Sequence, residues 1–131
     1  IKVYERACPL FVPAIEEGEV DSPAFDKLIE EYLGGLFSQS GQIDAVLLGC
    51  THYAIIENKI KNHLPQEVNL VSQGPIVARK LKEYLARHEE IENKLEKNGE
   101  RIFLSTENSK KVESLSSLFY GEPVKIELVK L

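Results

Sequence analysis

Cys50, Thr51 and His52 are consecutive, placing a thiol, a hydroxyl and an imidazole within three positions. They follow an apolar run, Ala45 to Leu48, that breaks at Gly49. In an α/β fold such a break puts Cys50 at the carboxyl end of a strand, in the crevice where ligands gather. A helix beginning there favours a thiolate through its dipole. The three groups thus stand at a place suited to chemistry. Two other readings share the pattern. A cysteine after an apolar strand is also a common small buried hydrophobe, and Cys50-x-His52 is half of a metal-ligand set. No second ligand pair stands at a recognisable spacing, so no metal is assigned. Cys8 precedes Pro9 outside the motif and is expected to be structural; His63 and His88 lie among polar residues and are expected to be solvated.

The elements that must position these groups follow from punctuation and periodicity. Ile1 to Ala7 alternates like a strand and stops at Cys8-Pro9. Leu10 to Gly18, with Pro13 inside it, reads as an apolar loop or short turn. Ser22-Pro23 is an N-cap followed by Pro at the first helical position. Phe25, Leu28, Ile29, Tyr32, Leu33 and Leu36 then recur at helical spacing, up to Gly41. Ile43 to Leu48 is a buried strand, and Thr51 to Leu64 a helix with Ile55, Ile56, Ile60 and Leu64 inward, stopped by Pro65. Val68 to Val71 is a third strand. Gly74-Pro75 opens a helix whose stripe is Ile76, Val77, Leu81, Tyr84 and Leu85. The Glu/Lys-rich stretch from His88 to Asn98 is a solvated extension or loop. Arg101 to Thr106 is a strand, Asn108 to Tyr120 a helix, and Val124 to Val129 the last strand. Alternating strands and helices imply an α/β fold of parallel-sheet βα units. Pro65-Gln66-Glu67 is the expected joint between two parts of the chain, residues 1–66 and 67–131.

The 131 residues suffice for a core of ordinary size, and 43% hydrophobic with 28% charged residues is a globular balance. A net charge of −5 with no basic stripe argues against a nucleic-acid partner. No apolar stretch approaches the roughly 18 residues of a membrane span, so no membrane partner is expected. Two cysteines are too few for a disulfide framework, and a reduced, cytoplasmic setting is expected. The sequence has no Met and opens on Ile1-Lys2-Val3 in mid-strand character, which suggests the later part of a longer polypeptide.

Three stretches resemble the glutamate racemase family, within the aspartate/glutamate racemase superfamily. Leu48-Gly49-Cys50-Thr51-His52-Tyr53 matches the family's second cysteine motif almost letter for letter. Ala7-Cys8-Pro9-Leu10-Phe11-Val12-Pro13-Ala14-Ile15-Glu16-Glu17-Gly18 matches its upstream Pro-Leu-Phe-Val-Pro…Glu segment. The Phe103-Leu104-Ser105-Thr106 strand, with the helix and strand after it, fits the family's ending. Ala54 stands where the family has Pro, and Ser72-Gln73-Gly74 is a loose version of a Ser-Gly turn to which no role is given. The family's first-lobe motifs, an Asp-Ser near the start and a first Cys-Asn-Thr, have no counterpart here.

The resemblance implies two similar α/β lobes with the active site between them. Residues 1–66 would be the later part of the second lobe, and 67–131 the segment returning to complete the first. It also implies cofactor-independent interconversion of L- and D-glutamate by two thiol bases, supplying D-glutamate for peptidoglycan and cell shape. Cys50 would be one base, His52 its proton partner and Glu16 a pocket carboxylate tuning the protons. Thr51, with Cys50, would hold the substrate, the Thr51 N–H receiving a carboxylate at the helix start. A homo-oligomer is expected, and the chain alone is expected to be inactive. Alternatives are another racemase or isomerase of the superfamily, or a non-catalytic ligand-binding fragment.

Overall fold

The apolar run after Asp44 forms strand β1, Ala45–Leu47, and the next such run forms β2, Asn69–Val71. They pair in parallel, with Val46 opposite Leu70. The Asn69 N–H donates to the Asp44 carbonyl at 2.9 Å, and the Leu48 N–H to the Val71 carbonyl at 3.0 Å. A parallel pair needs a crossover; here it holds a 3-10 turn, Thr51–Ala54, and helix α3, Glu57–Asn62. A second βαβ unit pairs β3, Phe103–Ser105, in parallel with β4, Ile126–Leu128, across α6, Lys110–Tyr120. The α/β fold with parallel βα units is thus the one the alternating pattern predicts. The computed structural model describes residues 1–107 and 110–131, so the expected helix start at Asn108 lies outside the described residues.

The chain divides into two compact units, 1–76 and 77–131. β2 lies beyond Pro65-Gln66-Glu67 and pairs with β1, so the first compact unit includes both strands.

In the first unit, helix α1, Phe11–Glu16, replaces the expected loop. Pro13 sits in its first turn, where a backbone N–H has no helical acceptor, so the missing donor costs nothing. Phe11 and Ile15, four apart, are both buried. Glu16 is the last helical residue, and Gly18 follows at φ +76°, donating its N–H to the Ile15 carbonyl at 3.1 Å. That left-handed turn disfavours any side chain. Gly18→Ala is expected to lower stability by about 1 kcal/mol in urea unfolding; an unchanged midpoint would show that the turn relaxes freely.

Helix α2, Pro23–Phe37, begins as its cap predicts, with the Phe25 N–H donating to Ser22 Oγ at 3.2 Å. Its Phe25, Ile29 and Tyr32 join Phe11, Ile15, Leu48, Ile56 and Ile60 in one apolar cluster. Residues 1–7 form no strand, since no described neighbour offers them a ladder. They are tethered instead: Gln39 Nε2 donates to the Glu5 carbonyl at 3.0 Å, and the Arg6 guanidinium lies 5.5 Å from the Tyr32 ring centre.

In the second unit, helix α4, Gln73–Arg87, continues from the end of the first. Its expected inward stripe is instead exposed at Val77, Leu81 and Tyr84. An amphipathic face becomes interior only where another layer covers it. The stretch expected as a solvated extension holds a short helix, α5, Glu89–Glu92. No helix is long and apolar enough to cross a membrane among the described residues.

Candidate active site

Cys50 ends the β1 side of the crossover with extended backbone, φ −133° and ψ 140°. The next residues tighten at once: the Tyr53 N–H donates to the Cys50 carbonyl at 3.1 Å and the Ile55 N–H to the His52 carbonyl at 3.2 Å. This 3-10 turn is the first part of what periodicity reads as a single helix from Thr51 to Leu64. Only four residues long and separate from the six of α3, it supplies a fraction of a full helix dipole. Side chains, rather than a helix dipole, are therefore the neighbours that bear on the thiol.

Those neighbours are in place. His52 Nδ1 lies 3.9 Å from Cys50 Sγ, and His52 Nε2 lies 3.2 Å from Glu16 Oε1. The carboxylate only accepts when ionised, so the Nε2 proton is assigned toward Glu16, which leaves Nδ1 facing the thiol as an acceptor. Thiol, imidazole and carboxylate then form a relay in which each group orients the one before it. The side chains of His52 and Glu16 are about a quarter and a third exposed, so the relay is reachable from solvent. Thr51 is exposed at the first position of the turn.

Two tyrosines to which sequence reasoning gives no part in the site's chemistry brace this relay. The Tyr53 hydroxyl donates to the Cys8 carbonyl at 3.3 Å, and its ring meets Phe11 edge-on at 5.4 Å. Burial, and then the nearby Cys8, Cys50 and Tyr32, push the Tyr53 hydroxyl above its ordinary value, which keeps its proton for that bond. Tyr32 Oη accepts from the Leu10 N–H at 3.4 Å, and its ring meets Phe11 edge-on at 5.0 Å. Both tyrosines thus hold the turn that launches α1, whose far end carries Glu16. Their sequence signal is the one any buried tyrosine gives, an apolar ring with a polar tip.

Cys8 is a different kind of thiol. Burial pushes it up, against the opposing charge of Arg6, and its Sγ–H donates to the Arg6 carbonyl at 3.5 Å. The raised value favours its thiol form, and the Cys50–His52–Glu16 contacts do not include it. His63 is not solvated: its Nδ1 donates to the Lys59 carbonyl at 2.8 Å and its side chain is largely covered. His88 stacks on Tyr84 at 3.9 Å between ring centres. Among the described residues no cluster of three His, Cys, Asp or Glu side chains is arranged to hold a metal ion.

No family model matches the chain. A glutamate racemase from Aquifex aeolicus (strain VF5) is 35% identical over 123 residues, covering 94% of this chain and 44% of that protein. The crystal structure of glutamate racemase from Francisella tularensis subsp. tularensis SCHU S4, in complex with D-glutamate, superposes with a TM-score of 0.82 and 31% identity. It covers 99% of this chain and 48% of that one. The glutamate racemase from Thermus thermophilus, in complex with beta-chloro-D-alanine, gives a TM-score of 0.75 and 32% identity over 96% of this chain and 47% of that one. The chain spans less than half the length of these relatives. In both sequence and fold, the whole chain corresponds to the C-terminal portion of glutamate racemases.

Proposed function

We propose that this chain supplies one acid–base face of a two-lobed, cofactor-independent glutamate racemase. The observation that carries this reading is the Cys50–His52–Glu16 relay, with its 3.9 and 3.2 Å contacts. His52 takes the Cys50 proton on Nδ1, and the ionised Glu16 stabilises the imidazolium that results. The thiolate removes the α-hydrogen of L-glutamate as a proton. An acid on the opposite face then returns a proton to the same carbon, giving D-glutamate. Cys8 stands outside the Cys50–His52–Glu16 contacts and donates to the Arg6 carbonyl, so it is not assigned as that acid. The opposing thiol comes from the other lobe, as the family resemblance implies. Thr51, exposed beside Cys50, receives the substrate carboxylate.

In lobe terms, the first unit is the later part of the second lobe, and the chain returns to the first lobe after Ile76 rather than after residue 66. The exposed Val77, Leu81 and Tyr84 support packing of this returning segment against the rest of its lobe. The product feeds peptidoglycan synthesis in the cytoplasm, and the two free thiols suit a reducing compartment.

The test compares the chain alone with the complete two-lobed enzyme in deuterated water. The complete enzyme is expected to convert L- to D-glutamate with solvent deuterium at the α-carbon and no added cofactor. The chain alone is expected to form none, because one base cannot invert the centre. D-glutamate produced in proportion to the concentration of the chain alone would overturn the two-lobe reading. Racemisation by the complete enzyme that depends on added pyridoxal phosphate would overturn the thiol mechanism.

A further inference from the structure

Ser72-Gln73-Gly74 lies where β2 gives way to α4, and Gln73 is the first residue of that helix. Its side chain does not stay with its own helix. Gln73 Nε2 donates to the Leu48 carbonyl at 3.1 Å, in a partly buried contact. The Leu48 N–H already donates to the Val71 carbonyl at 3.0 Å, and the Leu48 side chain is buried in the apolar cluster. Both backbone polar groups of Leu48 are therefore held from the β2–α4 corner, one by main chain and one by side chain.

Cys50 stands two residues further on. Between them is Gly49, which has no side chain to anchor and open space where a Cβ would stand. The path from the Leu48 carbonyl to the Cys50 thiol thus has its upstream anchor at Gln73 and its downstream anchor in the Tyr53 N–H bond to the Cys50 carbonyl. A shift of the Leu48 peptide passes through an unpinned glycine to the sulfur. Proton abstraction from carbon is sensitive to such displacement, because the thiolate must meet the α-hydrogen along its bond.

We propose that Gln73 is a positioning residue for Cys50: its amide clamps the Leu48 carbonyl and fixes where the thiol meets the substrate. This rests on the racemase reading above. The residue acts through the backbone and touches neither substrate nor thiol.

The experiment separates the two faces of the reaction in the complete enzyme. Glutamate bearing chlorine on the β-carbon needs only one base: the α-proton is removed, chloride leaves, and the enamine hydrolyses to ammonia and a 2-oxo acid. Each enantiomer therefore reports on one thiol, and the enantiomer whose elimination Cys50→Ala removes reports on Cys50. Gln73→Glu keeps the shape but replaces the donor with an acceptor facing a carbonyl. It is expected to lower kcat for that enantiomer about tenfold, with KM within about twofold, and to leave the other enantiomer unchanged. Gln73→Ala is expected to show the same one-sided loss, and Gln73→Lys, which restores a donor of similar reach, to recover most of it.

Equal losses for both enantiomers would make Gln73 a merely structural residue and overturn the proposal, as would no loss in either variant. If the unmodified enzyme eliminates chloride from neither enantiomer, the racemase reading fails and takes this inference with it. One-sided loss in an otherwise active enzyme supports both.

Discussion

Cys50→Ala is expected to abolish racemisation in the complete enzyme, with a fall beyond the 10²- to 10⁴-fold that general acid–base assistance typically provides. The loss covers both directions, because each needs one group to take a proton and the other to return one. On the two-thiol proposal, elimination from a β-chlorinated glutamate is expected to survive for the D-enantiomer and to vanish for the L-enantiomer. The His52–Glu16 contact is untouched by the substitution, so the fold supporting it stays intact. Racemisation near the unmodified rate would end the assignment of Cys50 as a base. Loss of elimination from both enantiomers would leave it important but not confined to one face.

Phe11→Ala is expected to cost about 3–5 kcal/mol, the usual range for removing a buried aromatic ring. Phe11 is 3% exposed and meets Phe25, Tyr32 and Tyr53 at ring-centre distances of 5.4, 5.0 and 5.4 Å. Aromatic pairs add about 0.5–1.5 kcal/mol each beyond the buried area. Against a typical total stability of about 5–15 kcal/mol, such a loss threatens the first unit as a whole. The site is also affected, because Phe11 anchors the helix that ends at Glu16. A fall in the urea midpoint is the measurement. A loss below about 1 kcal/mol would show that the surrounding residues collapse into the space.

The parts of the chain legible in the sequence are those fixed by local chemistry. Ser22-Pro23 states its role in two residues, and Phe25 confirms it by donating to the serine hydroxyl. Gly49 after an apolar run marks the end of β1, and the structure brings together Cys50, His52 and Glu16, as the motifs suggest. Elsewhere local signals mislead. Pro9 and Pro13 make residues 10–18 look like a loop, yet a proline in a first turn loses no hydrogen bond, and burial of Phe11 and Ile15 decides for a helix. The 3.6-residue period runs unbroken from Thr51 to Leu64, but Tyr53, tied to Phe11 and Cys8, is held within a tighter turn. The stripe on α4 is written plainly, whereas its exposure depends on what covers it, which no local pattern encodes. Gln73 escapes notice for a related reason, since a side chain reaching a distant carbonyl leaves no periodic trace.

The bond from the Tyr53 hydroxyl to the Cys8 carbonyl joins positions 45 apart in the chain. Closing so long a loop costs more entropy than the nearer pairing of β1 with β2, and widely separated contacts form later as a chain folds. Sequence distance here becomes order in time: the parallel ladder and the crossover can form while α1 is still unattached. Until α1 docks, Cys50 has its histidine two residues away but no carboxylate to orient that ring. The thiol therefore meets its full relay only once the surrounding fold is complete.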